Sequence, residues 1–330
     1  MKAIVQSGYG EPERVLGLEE VERPPVGADG VLIRVKATSV NTPDWIVVAG
    51  VPYVLRLRSG LLRPSMPVRG TDVAGVVQEV DTAVTDLRPG DEVFGSLWEN
   101  ARMLHPPGTF AELTVAPASQ VIEKPAGLSF EEAGAAVMSG LTALIAMRDV
   151  GRVGPGTRVL INGASGGVGT FAAQIAKALG AEVTAVCSTR NLELVRSLGA
   201  DHVIDHTAQD FTRGEHRYDV ILDNVMNHPP SATARVLAPS GILIPNSIGN
   251  TGGLLAGLPR MARARLMGRS TDVKFVTCVV NRENLSALAA FLGSGDVRVV
   301  IDETYALEAA PAAVAHMLGH HARGKVVITV

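Results

Sequence analysis

Two textures of apolar and polar positions divide the chain. Up to about residue 124, apolar residues fall in short runs at 3–6, 31–39, 72–80, 92–97 and 110–116, broken by turn signals such as PPVGADG and RPGDEV. Strand-length runs ended by Gly and Pro predict a compact, partly barrel-like β domain. From residue 129 the spacing lengthens. Residues 129–150 have helical periodicity, with Ser129 at the N-cap and Glu132 in the capping-box position. Residues 158–162, 171–179 and 182–186 then read as strand, helix and strand, one complete βαβ unit. The alternation continues as a helix at 191–198, strands at 203–204 and 218–222, a helix at 231–237 and a strand at 242–245, with a β-rich run at 273–280 closing the sheet. A helix from Asn281 to Leu292, a strand-like run at 297–301, a helix at 308–318 and a strand at 326–330 return the chain to its first texture.

The turn inside the βαβ unit carries the chemistry. In GASGGVG, Ala164, Gly166 and Gly169 take the three positions of a G-x-G-x-x-G fingerprint, around Ser165, Gly167 and Val168. Such a turn lets backbone approach a pyrophosphate, lets helix and strand pack closely, and aims the N–H groups of a helix N-terminus at the anion. The same letters spell G-x-S-x-G at Gly163, Ser165 and Gly167, the nucleophile elbow of a hydrolase. That alternative needs an acid and a late histidine, for which Asp223, His316, His320 and His321 are candidates, and it leaves Gly169 without a purpose. After the second strand, Cys187–Ser188–Thr189–Arg190 offers no acid for a ribose 2′-hydroxyl. Arg190 is a forked donor for a 2′-phosphate and Ser188 adds a hydroxyl, so NADPH is the expected cofactor.

Composition narrows the class. The 330 residues suffice for two domains, and 46% apolar with 19% charged residues is an ordinary globular balance. A net charge of −3 provides no basic surplus for a nucleic-acid partner. The two cysteines, Cys187 and Cys278, cannot build a disulfide framework or a four-cysteine zinc lobe. The first residues contain no apolar signal core and no apolar run reaches transmembrane length, so a soluble, cytoplasmic protein without a membrane span is expected. Between residues 247 and 270 a Gly-rich loop and a basic, Met-containing helix read as a substrate lid or, by default, a solvated face.

In this order SVNTPDW (39–45), GTDVAGVV (70–77), RPGDEVFG (88–95), GTFAEL (108–113), GLTAL (140–144), GASGGVG (163–169), LGADHVIDH (198–206) and GKVVITV (324–330) span the chain. Together they resemble the medium-chain dehydrogenase/reductase superfamily, in its zinc-independent quinone oxidoreductase branch, typified by zeta-crystallin. The resemblance implies an α/β protein: a GroES-like β-rich catalytic domain (1–124, completed by 282–330) and a Rossmann domain with a doubly wound parallel sheet (125–281). It implies that Asn41, Thr71 and Ser139 stand near the positions where zinc-dependent members hold their metal with Cys, His and Cys, so no metal is expected. The remaining chemistry is hydride transfer from NADPH to a quinone or the C=C bond of an enone, whose developing negative oxygen needs hydrogen-bond donors and a proton.

The resemblance also assigns roles. Asn41 is expected near the nicotinamide as a donor to the substrate oxygen, its alternative being a turn residue before Pro43; Tyr53 is the candidate proton donor, its alternative being pocket lining or surface placement. Thr142, His206, Asn224, Val225, Asn246, Ser247, Ile248 and Lys325 join the cofactor-binding set, Lys325 with surface placement as its alternative. Met226, Asn227 and His228 replace the Gly-Gly usual after DNV, and Asp44 and Asp72 are read as internal structural partners. Homodimerisation through 273–280 is implied. Two alternatives share these motifs: a dedicated enoyl reductase of secondary-metabolite biosynthesis, and a non-catalytic NADPH-binding protein with a structural or regulatory role.

Overall fold

The computed structural model describes residues 1–51, 53, 56–98, 108–247, 262–263, 266, 272–319 and 322–330. Most of the expected lid segment lies outside these, as do Ile248, His320 and His321. The chain forms two compact units: Met1–Leu141 with Cys278–Gly295 and Val299–Val330, and Thr142–Thr277 with Asp296–Arg298.

The first unit opens with β1 (Lys2–Gln6), α1 (Pro12–Val15) and β2 (Leu16–Glu20), β1 and β2 pairing antiparallel. The long β3 (Gly30–Ser39) alternates in its middle so that Val31, Ile33 and Val35 face a core shared with Val73, Val77, Val93 and Leu97. Next come α2 (Thr42–Ala49), α3 (Arg56–Ser59), β4 (Asp72–Val80), β5 (Glu92–Ser96), β6 (Leu113–Pro117) and β7 (Val121–Glu123). The sequence pattern missed β2 and α2. Phe110 and Ala111, expected within the β6 run, bond instead with β1: the Ile4 N–H donates to Phe110 O and Ala3 bridges Ala111. α4 (Phe130–Leu144) starts with the expected capping box, Ser129 N–H donating to Glu132 Oε2 at 2.9 Å and Glu132 N–H to Ser129 Oγ at 3.1 Å. It continues as a π-helical stretch, Ile145–Val150. The whole Phe130–Val150 helix is long and apolar enough to cross a membrane, contrary to the sequence expectation, but 83% of its most apolar window is buried in the protein. Its apolarity therefore serves the core.

The second unit is built on β8 (Arg158–Asn162), α5 (Gly167–Ala178), β9 (Glu182–Cys187), α6 (Leu192–Ser197), β10 (His202–Asp205), β11 (Tyr218–Asp223), α7 (Pro230–Thr233), β12 (Leu237–Pro245) and β13 (Asp272–Val273). These strands form one parallel sheet in the order β10-β9-β8-β11-β12-β13, with Leu160, Val186, Ile221 and Leu243 in its core. The helix expected at 231–237 is one α-turn followed by a 3₁₀ turn at Ala234–Val236. The strand expected at 273–280 is a correction. Only Asp272 and Val273 pair, with Ile242 and Leu243, and after the Lys274 N–H donates to Leu243 O the ladder stops. A β-prone run forms strand only where a neighbour supplies partners, and this one lies at the sheet edge.

The chain returns to the first unit through α8 (Arg282–Ser294), β14 (Ile301–Ala306), α9 (Ala310–Leu318) and β15 (Lys325–Thr329). The strand expected at 297–301 is shifted, because pairing starts at Ile301↔Lys325 and not at the most apolar residues. β15 pairs antiparallel with the C-terminal half of β3, completing a sheet ordered β14-β15-β3-β4-β5-β7 with β6 also on β3.

Candidate functional site

In the second unit the parallel strands β8, β9, β10, β11 and β12 deliver their carboxyl ends, Asn162, Cys187, Asp205, Asp223 and Pro245, to one edge of the sheet. The strand order reverses between β8 and β11, and the connections diverge there, opening the crevice where ligands of such sheets bind. Ala164 to Gly169, Ser188, Arg190, His206, Asn224, Val225, Asn246 and Ser247 all follow these strand ends directly. Thr142, buried in α4, belongs to the same unit.

The Gly-rich turn divides into residues the fold needs and one it does not. Gly163 has φ +79°, and a Cβ there would stand 2.7 Å from Val225 Cγ2. At Gly169 a Cβ would stand 2.2 Å from Gly163 O and 2.7 Å from Ala164 Cα, so helix and strand could not close. At Gly166, the N-cap of α5, a Cβ would meet nothing nearer than Gly163 O at 3.5 Å. Its missing side chain leaves open space before the first turn of α5, whose N–H groups lack intrahelical partners. That is the cradle a phosphate takes.

Three buried side chains that the sequence did not assign to this edge, Asn162, Asp223 and Asn191, brace it. Asn162 Nδ2 crosses the switch point to Asp223 Oδ1 at 2.7 Å and reaches Asn227 Oδ1 at 3.0 Å. Asp223 Oδ1 also accepts the N–H groups of Met226 at 2.8 Å and Val225 at 3.2 Å. Burial pushes the Asp223 carboxyl up from its ordinary value, and these donors oppose the shift. They hold Met226 at φ +53°, the left-handed conformation that a glycine would adopt freely. Asn191 Nδ2 joins Ser165 Oγ at 2.9 Å and Ser188 Oγ at 3.3 Å, tying the Gly-rich turn to the end of β9. Arg190 and His206 are exposed beside it, and Asn246 Nδ2 donates to Asn224 Oδ1 at 2.8 Å.

The hydrolase arrangement is not assembled among the described residues. Ser165 accepts from an amide, Asp223 is engaged by Asn162 and backbone N–H groups, and His316 bonds to Tyr305 and Asp302 within the first unit.

The first unit buries a charge cluster. Asn41, at the N-cap of α2, lies 4% exposed. Its Nδ2 donates to Asp72 Oδ2 at 2.9 Å and Thr71 Oγ1 at 3.1 Å, while its Oδ1 accepts Lys325 Nζ at 2.5 Å. Lys325 also donates to Val40 O at 3.1 Å, so its surface alternative is not what the fold adopts. Asp72 Oδ2 takes further bonds from Ser39 Oγ at 3.2 Å and Met138 N–H at 3.1 Å. Asp44 accepts the Asn41 N–H at 2.8 Å. Burial raises Asp44 to about 7, against the Asn41 bond, with nearby Asp72 adding to the rise. Burial also raises Asp72 and lowers Lys325, and the attraction between the two opposes both shifts. Arg69 is lowered by burial to about 10, against the pull of Asp44. Reading Asp44 and Asp72 as internal partners agrees with these contacts, although the density of charge was not legible from their spacing. Tyr53 is 71% exposed, its ring 4.7 Å from the Arg56 guanidinium.

Comparison with known proteins places these features in a lineage. A family profile described as an alcohol dehydrogenase GroES-like domain matches residues 27–126, and one described as a zinc-binding dehydrogenase matches 198–328. A chloroplastic quinone-oxidoreductase QR1 of Triphysaria versicolor is 32% identical over 99% of this chain and 98% of its own length. The mitochondrial NAD(P)H oxidoreductase RTN4IP1 of Mus musculus is 32% identical over 100% of this chain and 89% of its own. Among solved structures, the quinone oxidoreductase from Coxiella burnetii superimposes with a TM-score of 0.85 at 28% identity, covering 100% of this chain and 99% of that one.

Proposed function

The chain belongs to the medium-chain dehydrogenase/reductase superfamily, in its quinone-oxidoreductase branch, and from that premise we propose an NADPH-dependent reductase of quinones or α,β-unsaturated carbonyls that uses no catalytic zinc. The observation that carries the cofactor reading is the open cradle at Gly166, set at the switch point of the parallel sheet. Bound NADPH supplies a hydride. The α5 N-terminus and Ser165 take the pyrophosphate, Ser188 and Arg190 the 2′-phosphate, with His206 beside them. Asn224, Val225, Asn246, Ser247 and Thr142 line the remainder, to which Ile248 is also assigned.

For the acceptor, Asn41 is the proposed donor to the oxygen that gains charge. The Lys325 ammonium on its Oδ1 withdraws density from the amide, which strengthens its N–H groups as donors. One of these would have to be shared with substrate, since Thr71 and Asp72 hold both. Tyr53 is the proposed acid, in competition with water at its exposed hydroxyl. The donor set near Asn41 does not fit zinc: an amide and the hydroxyls of Thr71 and Ser139 stand where a site needs thiolate or imidazole. A second copy is proposed to pair along the run 274–280, which follows β13 at the edge of the parallel sheet.

The test is NADPH oxidation across a panel of quinones and enones, with NADH as control and with a chelator added. Turnover on one acceptor class, faster with NADPH and unchanged by chelation, is the expected result. Preference for NADH, or loss of activity on chelation, would overturn the reading.

A further inference from the structure

We propose that Asn191 selects NADPH over NADH as a positioning residue: it turns the hydroxyls of Ser165 and Ser188 outward as donors to two different phosphates, an inference that rests on NADPH being the cofactor. Asn191 stands at the N-cap of α6, where the side-chain oxygen of an asparagine ordinarily accepts a backbone N–H of the first turn. Here it makes no such cap. Asn191 is 4% exposed, and its Oδ1 is buried without a partner among the described residues. A buried amide oxygen left unpaired works against folding. The side chain has given up the bond that would serve its own helix, so its place answers to what its nitrogen holds.

That nitrogen carries two hydrogens and meets two oxygens, Ser165 Oγ at 2.9 Å and Ser188 Oγ at 3.3 Å. An amide N–H can only donate, so each serine oxygen accepts from Asn191 and keeps its one hydroxyl hydrogen for another partner. Among the described residues neither hydroxyl donates to a protein acceptor, and both serines are half-buried at the strand-end edge of the sheet. Thr189, the third hydroxyl of this turn, is placed differently: its Oγ1 donates to Asp205 Oδ2 at 2.6 Å. The two hydroxyls that Asn191 holds are therefore the two with a hydrogen to offer.

Their positions give the arrangement its use. Ser165 lies in the Gly-rich turn before α5, the proposed pyrophosphate site, and Ser188 follows β9, at the proposed 2′-phosphate site. Phosphate oxygens accept, so a hydroxyl held as a donor complements them. NADPH engages both serines, whereas NADH has no 2′-phosphate and engages Ser165 alone. One buried amide thus links the two anion sites, and its loss weakens NADPH more than NADH. A side chain that only braced the turn would affect both nucleotides alike.

Dissociation constants for NADPH, NADH and 2′,5′-ADP are measured by calorimetry on the parent, on Asn191→Ala and on the similarly sized Asn191→Leu, with a melting curve for each. Both variants should melt like the parent and bind NADPH and 2′,5′-ADP at least about tenfold more weakly, and NADH no more than about threefold more weakly. In an S165A/S188A background the same changes should add less than about twofold, because the donors that Asn191 orients are gone. Parent-like NADPH binding, equal loss for NADPH and NADH, the full loss persisting in S165A/S188A, or unfolding of both variants would each overturn the proposal. A parent that binds neither nucleotide, or prefers NADH, would overturn the cofactor reading itself and the proposal with it.

Discussion

Gly166 and Gly169 sit three positions apart and should answer the same substitution differently. Gly169→Ala forces a methyl against Gly163 O, so stability should drop by about 2 kcal/mol or more in denaturant titration. Gly166→Ala meets only ordinary contact and should melt like the parent, yet weaken NADPH binding at least about tenfold, because the methyl occupies the phosphate cradle. Lys325 is a different case, since its ammonium offsets two buried carboxyls. Lys325→Met should cost about 3–5 kcal/mol, read as a shift in the unfolding midpoint. Asp44 makes the cluster pH-sensitive. Its carboxyl ionises near 3.8 when the chain is unfolded and near 7 when folded, so its contribution is complete below 3.8 and is lost as pH rises towards 7. Asp44→Asn cannot ionise, and should flatten the decline of stability across that window.

At the scale of elements, periodicity recovered what local physics decides. The capping box at Ser129 and Glu132 was visible because both halves lie three residues apart, and Ser129→Ala should cost about 1 kcal/mol. β8 and β4 carry their own apolar pattern, and their ends were read correctly. α2 was missed because its start depends on Asn41 and Asp44, which look like turn residues before a proline until the buried cluster gives them partners. The run 274–280 failed for the opposite reason: its residues suit a strand, but β-pairing is set by the neighbour. If that neighbour is a second copy, Val279→Lys should yield a smaller species in light scattering, since Val279 is exposed on that run.

For the whole molecule, the parallel sheet and its Gly-rich turn could be read from spacing, while Asp223, Asn162 and Asn191 could not, because each acts on a strand end or turn distant in sequence. Ligand linkage tests the cofactor reading as a whole. NADPH at a hundred times its dissociation constant should add about 2.7 kcal/mol and raise the melting temperature, with NADH at the same concentration adding less. The pairing of β15 with β3 bears on how the protein is made. Lys325 meets Val40 across 285 positions of sequence, whereas the second unit is almost entirely one continuous segment, Thr142–Thr277. On the ribosome the second unit can close while the first still waits for its partner strand, at synthesis rates of roughly 5–20 residues per second. During that interval β3 has an open edge and the carboxyls of Asp44 and Asp72 lack their late-arriving lysine.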